Sequence, residues 1–241
     1  VTPKRLYAHY RARRELRRRA CEPELKLLPF LVDRERCSVD VGANRGSYTY
    51  FLARLSRRVF AYEPNPAMRR YLQGASLENV VISEKALSDR SGAAEFRIPF
   101  DGRRYGNNVG SLETLPHDSS ECLRITVPTA RLDDEPIEDV GFIKIDVEGH
   151  EQAVLAGARH LIERDRPVLL VEILPVPDPG HVRQTIEQIE SLGYQPCIMQ
   201  QDRLTLLGPV SNTEPAARPG SGPAARPSNN VLFLPTKARA A

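Results

Sequence analysis

The chain predicts a doubly wound α/β fold, a mostly parallel sheet with helices on both faces. Three observations carry that expectation. The first is Cys37-Ser-Val-Asp-Val-Gly-Ala-Asn-Arg-Gly-Ser-Tyr-Thr49, where a short apolar run breaks at Gly42 and Gly46. A helical period follows through Tyr50, Phe51, Leu52 and Leu55. Strand, glycine-bearing turn and helix form the opening unit of a nucleotide-binding sheet. The second is a strand over 58–62 that ends in Glu63. An acid about 20 residues past such a turn can accept hydrogen bonds from a ribose diol. The third is Val140-Gly-Phe-Ile-Lys-Ile-Asp-Val-Glu-Gly-His-Glu151. It reads as a buried strand carrying Lys144 and ending in Asp146, then a turn at Glu148-Gly149 and a helix with Val154, Leu155, Ala158, Leu161 and Ile162.

The turn discriminates between cofactors. A dinucleotide site prefers G-x-G-x-x-G, because the middle glycine lets the backbone approach a pyrophosphate. Asn44 stands in that place, and Asp40 just before the turn would repel a phosphate. S-adenosylmethionine fits better. It carries an ammonium for Asp40 and a ribose for Glu63, and its carboxylate suits backbone N–H groups at the helix start around Gly46 and Ser47. By itself the glycine turn is equally consistent with a tight strand-to-helix connection.

With 241 residues, 41% hydrophobic and 27% charged, the composition is that of one globular domain with additions, long enough for six or seven strands. No apolar run approaches the roughly 20 residues of a membrane span, and no secretory signal pattern opens the chain. Cys21, Cys37, Cys122 and Cys197 are scattered without a C-x-x-C pair. That speaks against zinc and a disulfide framework and for a cytoplasmic location. No metal site is assigned, since a divalent metal on Asp146, Glu148 and a third acid has no ligand spacing to support it. The net charge of +3 is uneven: residues 1–26 hold nine Lys/Arg against three Asp/Glu, a local +6 that leaves −3 for the remainder.

Residues 1–36 form a basic leading segment, with a helix expected over 3–20 and a shorter one over 23–32. The main domain spans 37–235, with 236–241 as a tail. Asn65-Pro66 opens a helix as N-cap and first helical residue. A third strand over 79–83 leads to Ala86, Ser88 and Asp89, candidates for the adenine. Strands over 93–98 and 123–127 pair as a hairpin, and the polar stretch 101–121 between them could close over a substrate. A strand over 167–173 places Glu172 near its carboxyl end, on the rim where open α/β sheets bind ligands. Asp146, Glu148, His150 and Glu151 are expected on the same rim, although Glu148 and Glu151 could equally serve the helix N-terminus. A helix over 179–192, a strand through Met199, a run at 204–207 and a last strand over 230–235 follow. Pro-Ala-Ala-Arg-Pro occurs twice within 209–229, a low-complexity insert.

Taken together, Val39-Asp-Val-Gly-Ala-Asn-Arg-Gly46, Tyr62-Glu-Pro-Asn-Pro66, Ala86-Leu-Ser-Asp89, Phe142-Ile-Lys-Ile-Asp-Val-Glu-Gly-His-Glu151, Val154-Leu-Ala-Gly-Ala158, Val171-Glu172 and Asn230-Val-Leu-Phe-Leu-Pro235 resemble the FkbM-type methyltransferases. The resemblance runs over roughly 37–235 and leaves the leader and the insert unexplained. It implies a class I methyltransferase fold, a seven-stranded Rossmann-like sheet with an antiparallel last strand. It also implies S-adenosylmethionine, held by Asp40, Gly42, Asn44, Gly46, Ser47, Glu63, Pro64, Ala86 and Ser88. The reaction it implies is O-methylation of a small molecule or sugar hydroxyl.

An alcohol attacks well only as its proton leaves, so a general base is needed. Asp146 has the better expected position for that role and His150 the better intrinsic pKa. Glu148 and Glu172 would assist or orient, and Lys144 could pair with an acid. An NAD-type oxidoreductase, an RNA methyltransferase using the basic arm and a cofactor-binding scaffold are the rivals. Nucleic acid is not the expected partner, because the body of the chain is not basic. Acceptor identity and oligomeric state are not encoded legibly.

Overall fold

In the computed structural model the described residues are 22–75, 77–99, 110–113, 122–174, 180–200, 203–208 and 229–236. The basic helix predicted over 3–20, most of the polar stretch 101–121 and nearly all of the insert 209–229 lie outside them.

Among the described residues the main sheet has eight strands, in the order β10-β9-β11-β8-β7-β1-β2-β3. At its centre β1 (Cys37–Val41) pairs in parallel with β2 (Arg58–Tyr62) and with β7 (Val140–Ile145). β3 (Val80–Ser83) and β8 (Val168–Glu172) extend the parallel set on either side. Every residue of β1 and β7 is buried, as expected of strands covered on both faces. The last strand, β11 (Asn230–Pro235), runs antiparallel between β8 and β9 (Tyr194–Gln200). One strand more than the predicted seven is present. β10 (Arg203–Leu206) pairs with β9 at the sheet edge and exposes all four residues, so no burial pattern distinguished it from a loop.

The predicted hairpin forms, with β5 (Gly92–Pro99) antiparallel to β6 (Cys122–Ala130). It does not join the main sheet. β4 (Ala86–Leu87) adds to β6 in parallel, and the three make a separate small sheet.

Helices cover both faces of the main sheet. On one, α1 (Leu28–Leu31) and α2 (Ser47–Leu55) bury Leu28, Leu52 and Leu55 against Val59, Phe142, Leu170 and Leu232. On the other, α4 (Glu151–Gly157), α5 (Arg159–Asp165) and α6 (His181–Ser191) bury Val154, Leu155, Ile162, Ile186 and Ile189 against Val39, Ile143, Ile145 and Leu169. α3 (Pro66–Ala75) starts as its sequence predicts, Asn65 Oδ1 accepting the Ala67 N–H at 2.9 Å. The single helix expected after Glu151 divides at Ala158. Gly157 there lies so close to β4 that a Cβ would fall 2.0 Å from the Ser88 carbonyl oxygen, which fixes the small sheet against α4.

Candidate active site

The carboxyl ends of β1, β2 and β7 open onto a cleft, the place where open α/β sheets bind ligands. Val41, Gly42 and Asn44 come from the β1 turn, Tyr62 to Asn65 from β2, Met68 from α3, and Asp146 to Glu148 with His150 from β7. The small sheet closes the cleft with Lys85, Ala86, Leu87 and Phe96, and Gly110 and Leu112 complete the wall.

Close packing shapes this rim. Gly42 sits at φ +77, and a Cβ there would fall 1.8 Å from the Asp146 carbonyl oxygen. The glycine therefore serves the contact between the β1 and β7 turns. Gly46, at φ +85, packs under Leu72 in the same manner. Asn44 also takes a left-handed conformation, φ 52, and its backbone N–H donates to Glu63 Oε2 at 2.6 Å. Glu63 Oε1 accepts the Asn65 N–H at 2.7 Å. The acid that closes β2 thus fastens the β1 turn while still facing the cleft. Burial pushes its carboxyl up to about 7, against the pull of those two N–H groups.

Not every predicted residue reaches the cleft. Asp40 is turned inward, only 2% exposed, and accepts the Thr49 hydroxyl of α2. Burial raises it to about 6. Gly46, Ser47, Ser88 and Glu172 lie outside the lining, whereas Gly42, Asn44, Glu63, Pro64, Ala86, Asp146, Glu148 and His150 are in it. Glu151 does not join the rim acids. It is fully buried, accepts the Gly149 N–H at 2.8 Å and pairs with His181 Nε2 of α6 at 2.8 Å. Those contacts tie α4 to α6.

His150 is held at both nitrogens. Nε2 lies 2.9 Å from Ser88 Oγ and Nδ1 lies 2.7 Å from Glu113 Oε1. Ser111, 2% exposed, donates its hydroxyl to the Glu148 carbonyl oxygen at 2.8 Å. Segment 110–113 is thereby docked on the β7 turn. The sequence reading expects the stretch 101–121 to cover a substrate, and it singles out neither the Glu113 nor the Ser111 contact, because nothing in the pattern marks which loop residues meet a distant turn. Tyr62, Lys85 and Glu135 form another unforeseen group. Tyr62 Oη donates to Glu135 Oε2 at 3.0 Å, and Lys85 Nζ lies 2.7 Å from Oε1.

Lys144 is 1% exposed and does pair with acids. Its Nζ lies 4.0 Å from Asp146 Oδ2 and 3.9 Å from Glu172 Oε2, and donates to Asn230 Oδ1 at 2.9 Å. Burial raises Glu148 to about 7 and Glu172 to about 8.

These elevations have a sign. Asp40, Glu63, Glu148 and Glu172 keep protons in the folded chain that the unfolded chain releases near its ordinary values of 3.8 and 4.5. The folded state then binds more protons between those values and its own, so stability falls as pH rises from about 4 to about 8. Thermal unfolding of the ligand-free protein should show a lower midpoint at about pH 8.5 than at about pH 5.5. A midpoint that rises over that range would refute these elevations.

Among the described residues no group of His, Cys, Asp and Glu has the arrangement to hold a metal, and no helix is long and apolar enough to cross a membrane. A parallel sheet with antiparallel closing strands and an acid-lined cleft at its carboxyl ends is the class I methyltransferase arrangement. Residues 40–196 match the methyltransferase FkbM domain, and the chain belongs to that family of S-adenosylmethionine-dependent methyltransferases.

The chain is also similar to two individual proteins. It is 28% identical over 149 residues to the 2-O-methyltransferase NoeI of Sinorhizobium fredii, a match covering 53% of this chain and 59% of that protein. The methyltransferase FkbM of Methylobacillus flagellatus superposes with a TM-score of 0.52 at 16% identity, over 89% of this chain and 51% of that one. The chain therefore spans little more than half the length of either relative.

Proposed function

We propose that this chain transfers the methyl group of S-adenosylmethionine to a hydroxyl oxygen of a sugar or a small secondary metabolite. The observation that carries the reading is Glu63. It faces the cleft with each carboxylate oxygen already taking one backbone N–H and a further lone pair left on each. A ribose diol can donate to those positions. Met68, Leu87 and Phe96 supply an apolar slot for a flat base, with Pro64 and Ala86 beside them. Asp146 and Glu148 line the same cleft. An acid-lined cleft suits a sulfonium and an ammonium and disfavours a pyrophosphate, which weighs against a nicotinamide dinucleotide. The oxygen acceptor follows the family resemblance and the relative whose name specifies 2-O-methyl transfer.

When bound, S-adenosylmethionine would supply an electrophilic methyl carbon. The chain's own residues supply position and proton transfer. Asp146 is the cleft carboxylate that accepts the proton of the attacking hydroxyl. Glu148 borders it and orients the acceptor. His150 is engaged by Ser88 and Glu113, so it braces segment 110–113.

Calorimetry with S-adenosylhomocysteine tests the cofactor. Hydrogen bonds from a ribose to a carboxylate contribute about 1.5–3 kcal/mol. Glu63→Ala should therefore weaken binding by about ten-fold or more. Equal affinity of the two proteins would remove Glu63 from the site, and no binding by the intact chain would end the methyltransferase reading. Screening hydroxylated acceptors with labelled S-adenosylmethionine then identifies the substrate.

A further inference from the structure

We propose that Asp146 and Glu172 act as one proton-sharing dyad, with the buried Lys144 as the positioning residue that holds the pair together. The inference deepens the proposed function, because it concerns the base of the same reaction.

The carboxyl groups of Asp146 and Glu172 lie within reach of a hydrogen bond to each other, and each has an oxygen within 4.0 Å of the same Lys144 Nζ. Two carboxyl groups can bond in that way only when one of them carries the proton. They come from the ends of adjacent strands, β7 and β8, and only Asp146 reaches the cleft. Lys144 Nζ sits behind both, 4.0 Å from one and 3.9 Å from the other. It is the group within reach that offsets the dyad's remaining negative charge.

The lysine is itself fixed. It donates to Asn230 Oδ1 of β11 at 2.9 Å and lies 5.2 Å from the Tyr48 ring centroid. The Tyr48 hydroxyl and the Asn230 amide both donate to Glu22 Oε2, at 2.6 and 3.1 Å. Elements separated widely in sequence thus converge on one ammonium with almost no exposure. A lysine that merely filled the sheet would not need an amide acceptor and two carboxylates around its head.

The dyad has room for one more proton. During transfer the substrate O–H bond breaks as the O–CH₃ bond forms and the CH₃–S bond breaks. The hydroxyl proton passes to the Asp146 carboxylate, while the proton already shared stays with Glu172. The pair leaves the step fully protonated and returns one proton to solvent. Other charges bear on it from every side: Glu22 ahead of α1, Asp40 on β1, Glu63 at the end of β2, Glu148 in the β7 turn and Glu151 on α4.

The test needs no acceptor. Carbon-13 carboxyl NMR of the full chain can follow Asp146 and Glu172 through a pH titration. The expected result is two separated steps, each seen at both residues. Glu172→Gln should reduce them to a single Asp146 step at lower pH. Lys144→Met should move both steps up by about 1 pH unit or more. Independent single steps at the two carboxyls, or an Asp146 step unmoved by Glu172→Gln, would overturn the proposal. Should Lys144→Met fail to fold, Glu172→Gln alone decides. S-adenosylhomocysteine calorimetry on the same samples separates the two ideas: binding without coupled titration sinks only the dyad, and coupled titration without binding sinks only the methyltransferase reading.

Discussion

Replacing Gly42 with alanine should cost the protein about 3–5 kcal/mol and lower its unfolding midpoint by about 10 °C. Two independent penalties combine. The backbone at φ +77 is one that residues with a Cβ adopt at a cost of about 1–2 kcal/mol. The new methyl group would also lie 1.8 Å from the Asp146 carbonyl oxygen. That obstacle is backbone, so relief requires the β7 turn to move. The same movement shifts Asp146 and Glu148, and S-adenosylhomocysteine affinity should fall with stability. Differential scanning calorimetry with and without that ligand measures both. A variant within about 1 kcal/mol of the parent would mean that the two turns are not in the contact described.

Asp146→Asn should reduce methyl transfer by about 10²–10⁴-fold, the usual contribution of a positioned general base. The substitution keeps size and removes the ability to take a proton. Asp146 is the member of the dyad that lines the cleft, with 31% of its side chain exposed. Cofactor affinity should change less than turnover, because the ribose is assigned to Glu63 and Glu148 remains as a second acid lining the cleft. Single-turnover transfer from labelled S-adenosylmethionine to an acceptor found by screening reads the first quantity, and calorimetry reads the second. Turnover within about three-fold of the parent would take the base role from Asp146 and pass it to Glu148. Turnover and affinity falling together would instead mean that Asp146 holds the cofactor.

Much of this architecture is written locally. The run Cys37–Val41 ends at Gly42, where the backbone must cross to φ above zero. Glu63 is legible for a similar reason. The distance from the turn to the end of β2 is set by one helix and one strand, so spacing alone brings it beside Asn44. Asn65 and Pro66 mark the start of α3 by capping chemistry contained in four residues.

Other features depend on what lies opposite. Asp40 has the right position in sequence, yet the hydroxyl of Thr49, one helical turn into α2, draws its carboxylate inward. Glu151 and His150 are neighbours, but the helix start sends them apart. Glu151 meets His181, thirty residues on, and His150 meets Ser88 and Glu113. The edge strand β10 exists only because β9 offers it unpaired backbone groups, and the hairpin β5–β6 forms its own sheet because β4 claims its edge.

The sequence by itself determined the fold class, the glycine turns and the acid at the end of β2. Each follows from periodicity, φ preference or a short covalent distance. Only the tertiary structure decided which acids face the cleft, that Glu113 holds His150, and that Lys144 lies within 4.0 Å of both Asp146 and Glu172. Those relations join residues on separate strands and loops. The cost of burying an unpaired charge selects such partners, and it is satisfied across space with no trace in local pattern.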